Sequence, residues 1–399
     1  ISGGNLDIDG NYTASGNVNA NISGGTIKVE GNWTSTGNGF DPTGGTVEFS
    51  GSVAQTISLA AGNNFYDLKI NNANATQKVS AQGSALVVSN HLNITDGIFE
   101  SASDYHDVTI ALGATLELTG DITVSGNWTN NGTFTAGTHT VTFDGSTIQS
   151  ISGDNTFYDL SINKSNNEIV IVNDYNLITV SNHLYLIQGN INMDQSNPPT
   201  NLFLGDQANV SNSSNSSHIY NGYISKSFDS STPFSFPVGD GTNYRPISLI
   251  PSTSNFNVQF LSAIPNLPLN NSLSSVETYG WDVDYVFANG DETNVSIPFD
   301  VSYNISDFNN LTIAYIHPIT VEWTEAPSTI TGTVANGFIT TNNPVSFPST
   351  TYFALGYKAT VDADFSADAT TVCQGFAVNF TDASTGSAGI TSWSWDFGD

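Results

Sequence analysis

The chain has 399 residues, 11% of them charged and 38% hydrophobic, and its 36 Asp and Glu outnumber 7 Lys and Arg for a net charge of −29. Phosphate recognition needs clustered cations, so this balance excludes nucleic acid as an expected partner and argues against anionic lipid headgroups. No apolar run approaches the roughly 18 residues of a spanning helix, so no membrane insertion is expected, and one cysteine, Cys373, allows neither an internal disulfide nor a Cys-based metal cluster.

Ile1 is not a start methionine, no signal peptide is visible, and the first residues already read as the middle of a repeat. The chain is therefore expected to be part of a longer one. Four ordered motifs occur twice: "VEGNW" at Val29–Trp33 and "VSGNW" at Val124–Trp128, then "TVEFSGS" at Thr46–Ser52 and "TVTFDGS" at Thr140–Ser146. "NNFYDLKI" at Asn63–Ile70 returns as "NTFYDLSI" at Asn155–Ile162, and "VSNHLNITDG" at Val88–Gly97 returns as "VSNHLYLIQG" at Val180–Gly189. The offsets drift from 95 to 92 residues, and a shorter period of 21 separates "ISGGNLDIDGNYTASG" from "ISGGTIKVEGNWTSTG". Alternation puts one side chain in and the next out, while Gly and Asn-Gly supply corners. Coils of this length that cannot bury their own apolar face must stack. The expectation is a right-handed parallel β-solenoid over residues 1–196, with the two copies about four coils, or on the order of 20 Å, apart.

"SNPPT" then breaks the pattern, and "VSNSSNSSH" at Val210–His218 reads as a polar loop. Strands spaced by turn clusters, such as "FNVQFLSAI", "WDVDYVFA" and "TYFALGY", predict an antiparallel β-sandwich over residues 197–358. Residues 359–399 carry their own alternation in "FAVNFTD" and "SWSWDF".

Three stretches of this last piece, "ADFSA" (Ala363–Ala367), "VNFTDAS" (Val378–Ser384) and "WSWDFGD" (Trp393–Asp399), resemble the first half of a PKD domain, an immunoglobulin-like sandwich. Its signature falls on Trp395, Asp396, Phe397, Gly398 and Asp399. That resemblance implies further strands beyond the chain and a partner Cys there for Cys373. The "GNW…GTVTFDGS…QSIS…FYDLSIN" coils and "FSFPVGDGTNYRPISL" at Phe234–Leu249 resemble large surface proteins of Bacteroidetes. This second resemblance implies type IX export, display at the extracellular surface, and adhesion or gliding.

Candidate chemistry is sparse. His91 and His183 are repeat equivalents, too far apart by the stacking argument to share one metal ion. Phe65-Tyr66-Asp67 and Phe157-Tyr158-Asp159 suggest sugar stacking, but the favoured reading is structural: one aromatic inward, the other outward, and an Asp closing a turn. Trp33 and Trp128 follow Gly-Asn at coil corners and read as structural. "ANGDETN" places Asp291 and Glu292 in a turn near Asp282 and Asp284. Calcium is the cation such acids would attract, but the spacing matches no standard loop, and a solvated acidic loop is the favoured reading. No cofactor is expected. A polysaccharide lyase or hydrolase needs grouped acids or a cationic base, whereas Lys28, Lys69, Lys78 and Lys164 are scattered and the single arginine, Arg245, lies outside the solenoid. The expected function is therefore non-catalytic: a stiff stalk and binding surface at the bacterial cell surface, meeting an extracellular surface or glycan. The alternative is a carbohydrate-binding accessory region of a secreted β-helix enzyme, or that enzyme itself. Self-association is left open.

Overall fold

The computed structural model describes residues 2–15, 22–37, 40–74, 76–82, 86–165, 170–172, 176–193, 201–228, 232–250, 255–285, 292–346, 350–371, 375–386, 392 and 394. Among these the fold is nearly all β, with two short 3-10 turns and no α-helix. A parallel β-solenoid of about nine turns is followed by antiparallel sheets. Contacts divide the chain into two units, residues 1–227 with 237–244, and residues 228–236 with 245–399.

Period-two alternation builds the solenoid directly. Val29, Phe49, Ile70, Ile94 and Ile110 pair rung to rung, and all five are fully buried. One residue earlier, Lys28, Glu48, Lys69, Asn93 and Thr109 form the polar column beside them. Each strand leaves half of its side chains inward, and only the coils above and below can cover them.

The two long copies do not stack in one column. Trp33 sits in a seven-stranded sheet, in the column Tyr12–Trp33–Ile57–Ala81. Trp128 lies in the other sheet, in the column Leu68–Leu92–Val108–Trp128–Ile151. The reason is coil length. The fourth rung below Val29 is Ile110, whereas its sequence equivalent is Val124, 14 residues further along the chain. The second copy is thereby turned around the coil, and Val124 stacks under Tyr105 and Val88. Each copy still assembles the same aromatic cluster: Trp33 with Phe40, Phe49 and Phe65, and Trp128 with Phe134, Phe143 and Phe157.

The expected end of the solenoid at residue 196 falls short of the last parallel pairing. Strand Leu177–Gln188 pairs in parallel with Asn201–Leu204 and with Asn209–Ser211, and Asn201–Leu204 pairs with Tyr223–Lys226. The polar run Val210–His218 is likewise part of a coil and not a free loop. Its Ser and Asn groups brace backbone: Ser217 Oγ donates to the Gly189 carbonyl (2.8 Å), and the His218 N–H donates to Asn190 Oδ1 (3.0 Å). Composition suggested a loop because the inward Leu202, Leu204, Ile219 and Ile224 are thinly spread among polar residues.

Glycine is required where coils touch at a corner. Gly153 has φ +84°, and a Cβ there would lie 1.7 Å from the Asn130 carbonyl oxygen. Gly62 has φ +83° with open space around it. Gly62→Ala should then cost about 1–2 kcal/mol from the left-handed backbone alone. Gly153→Ala should cost clearly more, because backbone must move as well. Paired urea midpoints check this, and equal losses would refute the close-contact account.

In the second unit, Phe256–Leu261, Gly280–Tyr285, Thr350–Lys358, Leu311–Ile316 and Trp323–Ala326 form one antiparallel array, with Leu273–Val276 also paired to Thr350–Lys358. A second sheet orders Phe234–Phe236, Ile247–Ile250, Glu292–Asp300, Asn336–Thr341 and Ser328–Thr333. Buried residues such as Trp281, Phe353 and Ile313 from the first sheet, and Leu249, Val295 and Ile339 from the second, supply its core, as in a β-sandwich. Further on, Val361–Asp362 pairs with Thr385–Gly386, and Phe365–Ala367 pairs with Phe380–Asp382. Cys373 and the signature residues Trp395, Asp396, Phe397, Gly398 and Asp399 lie outside the described residues.

Candidate functional site

The repeated FYD and SNH motifs, which sequence reading treated separately, meet on neighbouring coils. Phe65 pairs with Val88, but Asp67 pairs with His91, so the second strand carries one extra residue. Phe157 with Val180, and Asp159 with His183, repeat the same β-bulge. The motif builds the bulge from its own side chains. Ser89 Oγ donates to the Phe65 carbonyl (3.1 Å) and Asn90 Nδ2 to Asp67 Oδ1 (2.6 Å). Ser181 and Asn182 do the same to Phe157 and Asp159, at 3.1 and 2.7 Å. Asp67 and Asp159 therefore lie within strands and hold bulges, where a turn-closing role was expected.

Phe65 and Phe157 are fully buried, while Tyr66 and Tyr158 are half-buried. Each histidine reaches a hydroxyl on the next coil: His91 Nε2 lies 2.9 Å from Thr109 Oγ1, and His183 Nε2 lies 2.9 Å from Ser211 Oγ. His91 belongs to the column of Thr46 and Asp107, and His183 to that of Thr140 and Asn209. The copies have diverged. Around His91, Lys69 and Asn93 border a shallow cleft of about 200 Å³ with Asp67 and Asn90. Around His183, Tyr185 takes the place of Asn93 and stacks on the imidazole at 4.0 Å.

A neighbouring cleft of about 230 Å³ is lined by Asp104, His106, Thr123, Ser125 and Asp144, among others. Thr123 Oγ1 donates to Asp104 Oδ1 (2.7 Å), and His106 Nδ1 lies 3.0 Å from Ser125 Oγ. Burial, reinforced by the nearby Asp104 charge, pushes the Asp144 carboxyl above its ordinary range. A serine beside a histidine needs a third group to orient the ring before it resembles a nucleophile–base pair. Among the described residues no such orienting group is hydrogen-bonded to His106.

The cations are committed elsewhere. Lys28 is in register between Asp7 and Glu48, and Lys69 pairs with Glu48 at 3.4 Å. Lys78 bridges Glu100 (2.6 Å) and Glu117 (2.7 Å), and its hydrogen bond holds the Glu100 carboxyl below the usual carboxylate range. Lys358 pairs with Glu325 at 3.4 Å. Lys226 is buried, with its ammonium on the Gly205 and Asp206 carbonyls at 2.6 and 2.8 Å. Arg245, buried in the second unit, donates to Ser302 Oγ (2.6 Å) and its carbonyl (2.8 Å) and sits 4.0 Å from the centre of the Tyr303 ring.

Lys164 is fully buried and donates to the Thr147 carbonyl (2.8 Å) and to Gln149 Oε1. Gln149 Nε2 donates to the Val124 (2.9 Å) and Gly126 (2.5 Å) carbonyls, and its Oε1 accepts the Gly145 N–H (3.1 Å). The first copy uses the same device, with Asn72 in place of the lysine. Gln55 holds Val29, Gly31 and Gly51, and Asn72 Nδ2 reaches the Val53 carbonyl (2.8 Å) and Gln55 Oε1 (3.3 Å). Sequence reading passed over this glutamine, although "AQTIS" and "IQSIS" carry it at equivalent positions.

No group of three or more His, Cys, Asp or Glu among the described residues is arranged to hold a metal ion. Asp291 lies outside the described residues, Glu292 opens a strand, and Asp282 is buried and accepts from Gln259 Nε2 at 3.1 Å. No described helix is long and apolar enough to cross a membrane. No family model, curated protein or solved structure matches the chain.

Proposed function

We propose that this chain is a non-catalytic structural and adhesive segment of a bacterial cell-surface protein, acting as a stiff stalk with binding spread along its flanks. The observation that carries this reading is the use made of polar groups. Lys69, Lys78, Gln55, Gln149, Asn90 and Asn182 all brace one coil against the next. Such bracing supports axial stiffness, since each coil depends on its neighbours. The sequence resemblances add surface display, type IX export and a following PKD-like module to the proposal. A strain lacking the gene should lose attachment or gliding and regain it on complementation. Unchanged behaviour would count against the stalk reading.

The cleft of Asp67, Lys69, Asn90 and His91 favours a second reading, a glycan-binding accessory region of a polysaccharide-degrading protein. Its mixed donors and acceptors suit sugar hydroxyls. Incubating the purified chain with acidic and neutral polysaccharides separates the cases. Retention without new reducing ends or unsaturated products supports binding alone, and product formation would make the chain an enzyme.

A further inference from the structure

His218 is fully buried, and both ring nitrogens meet backbone groups whose roles are fixed. Nδ1 lies 3.1 Å from the Ser214 carbonyl, which can only accept, so Nδ1 carries the proton. The Gly241 N–H can only donate, and it points at Nε2 at 3.1 Å, so Nε2 is bare. Only the neutral imidazole satisfies both contacts.

The contact to Gly241 belongs to a short segment, residues 237–244, laid on the last coils. The Gly239 N–H donates to the Ile219 carbonyl (2.9 Å), and the Ile219 N–H donates to that of Pro237 (2.9 Å). Asn190 Nδ2 donates to the Gly241 carbonyl (3.0 Å), and the Tyr244 N–H donates to Asn215 Oδ1 (2.7 Å). A Cβ on Gly239 would lie 2.6 Å from His218 Cδ2, so the ring packs directly on this segment. The residues on either side, 228–236 and 245 onward, belong to the second unit, so the chain leaves that unit, is pinned here, and returns.

We propose that His218 is a proton-operated clasp: its neutral ring pins residues 237–244 to the solenoid, and protonation releases them. An imidazolium would turn a second N–H toward the Gly241 N–H and place a charge where water is excluded. The titratable groups facing the ring are Asp240 on the pinned segment, Tyr244 at its end, and Tyr220 two residues along. Asp240 favours the charged form, but burial outweighs it and pushes His218 below the ordinary value of 6.5. Above 6.5 the ring is neutral whether the segment is pinned or free, and the clasp is at full strength. As pH falls below 6.5 only the released form takes up the proton, so pinning weakens until the depressed value is passed.

Hydrogen exchange of the amides of residues 238–244 in the intact chain, corrected for intrinsic rates, tests this between about pH 7.5 and about pH 5. The opening constant should rise by up to about tenfold per pH unit below 6.5, while Val124 and Phe143 in the core stay protected. His218→Gln keeps a donor and an acceptor without titrating, and it should flatten the profile. Constant protection in the wild type would overturn the proposal, as would the same rise in His218→Gln. If that variant does not fold, wild-type imidazole nitrogen shifts decide: protonation while the segment stays protected refutes the clasp.

Discussion

Trp128→Ala should lower the stability of the solenoid by about 3–5 kcal/mol, the range for emptying a buried aromatic site. The indole is fully buried, packs on Phe134, Phe143 and Phe157, and forms the rung between Val108 and Ile151. Its Nε1 donates to Asn155 Oδ1 at 2.8 Å, so truncation also removes a buried hydrogen bond. Trp33→Ala is the matched control. Trp33 occupies an equivalent cluster with Tyr12 stacked at 3.9 Å, but its Nε1 has no partner among the described residues. It should therefore cost less, by about 1 kcal/mol for the missing hydrogen bond. Urea denaturation compares the two, and hydrogen exchange should place the Trp128 damage in its own and adjoining coils. Equal losses would mean that the Asn155 contact adds nothing, and a loss below about 1 kcal/mol would sink the packing account.

Gln149→Leu should be nearly as damaging, although it exchanges a polar side chain for an apolar one of similar size. It strands the Gly126 carbonyl and the Gly145 N–H, leaves the Val124 carbonyl with only the Asp144 N–H, and takes one acceptor from the buried Lys164 ammonium. Each buried polar group left without a partner costs about 1–3 kcal/mol, and a charged one more. The expected total is about 4 kcal/mol or above, short of full additivity because the corner can relax. Lys164→Asn alone should be well tolerated, because Asn72 makes the same two contacts in the first copy. In the Gln149→Leu background it should recover part of the loss by removing the charge. A double-mutant cycle reads this coupling. Additive effects would show that ammonium and amide do not act together, and a mild Gln149→Leu would show that the corner carbonyls find other donors.

Much of the architecture was legible because its signals are local. Alternation in "TIKVEGNW" and "TVEFSG" states which side chains turn inward, and glycine marks the corners. The Phe of each FYD motif and the Trp of each GNW motif end up in the core. The joint purpose of FYD and SNH was not legible. The two motifs are some 20 residues apart in the chain, and only pairing shows that one strand has a residue too many, which Asn90 then ties to Asp67. Gln149 was missed for a related reason. A lone glutamine beside the apolar Ile148 looks like surface, yet Ile148 is the exposed one, and the buried surroundings of Gln149 come from coils 23 and 25 residues earlier.

By itself, then, the amino-acid sequence determined the fold class and the repeated elements, because backbone period and corner chemistry are read within a few residues. Tertiary structure alone decided where each element sits around the coil. Column identity depends on the summed lengths of all intervening coils, so unequal coils turned the second copy away from the first and parted Trp33 from Trp128. It also decided where the solenoid ends, since residues 201–226 look like loop and sandwich until Leu202, Leu204 and Ile224 find an inward face to cover. The protonation state of His218 belongs to the same class. Its two partners, Ser214 and Gly241, lie on opposite sides of it in the chain, and nothing short of the folded coil brings both to one ring.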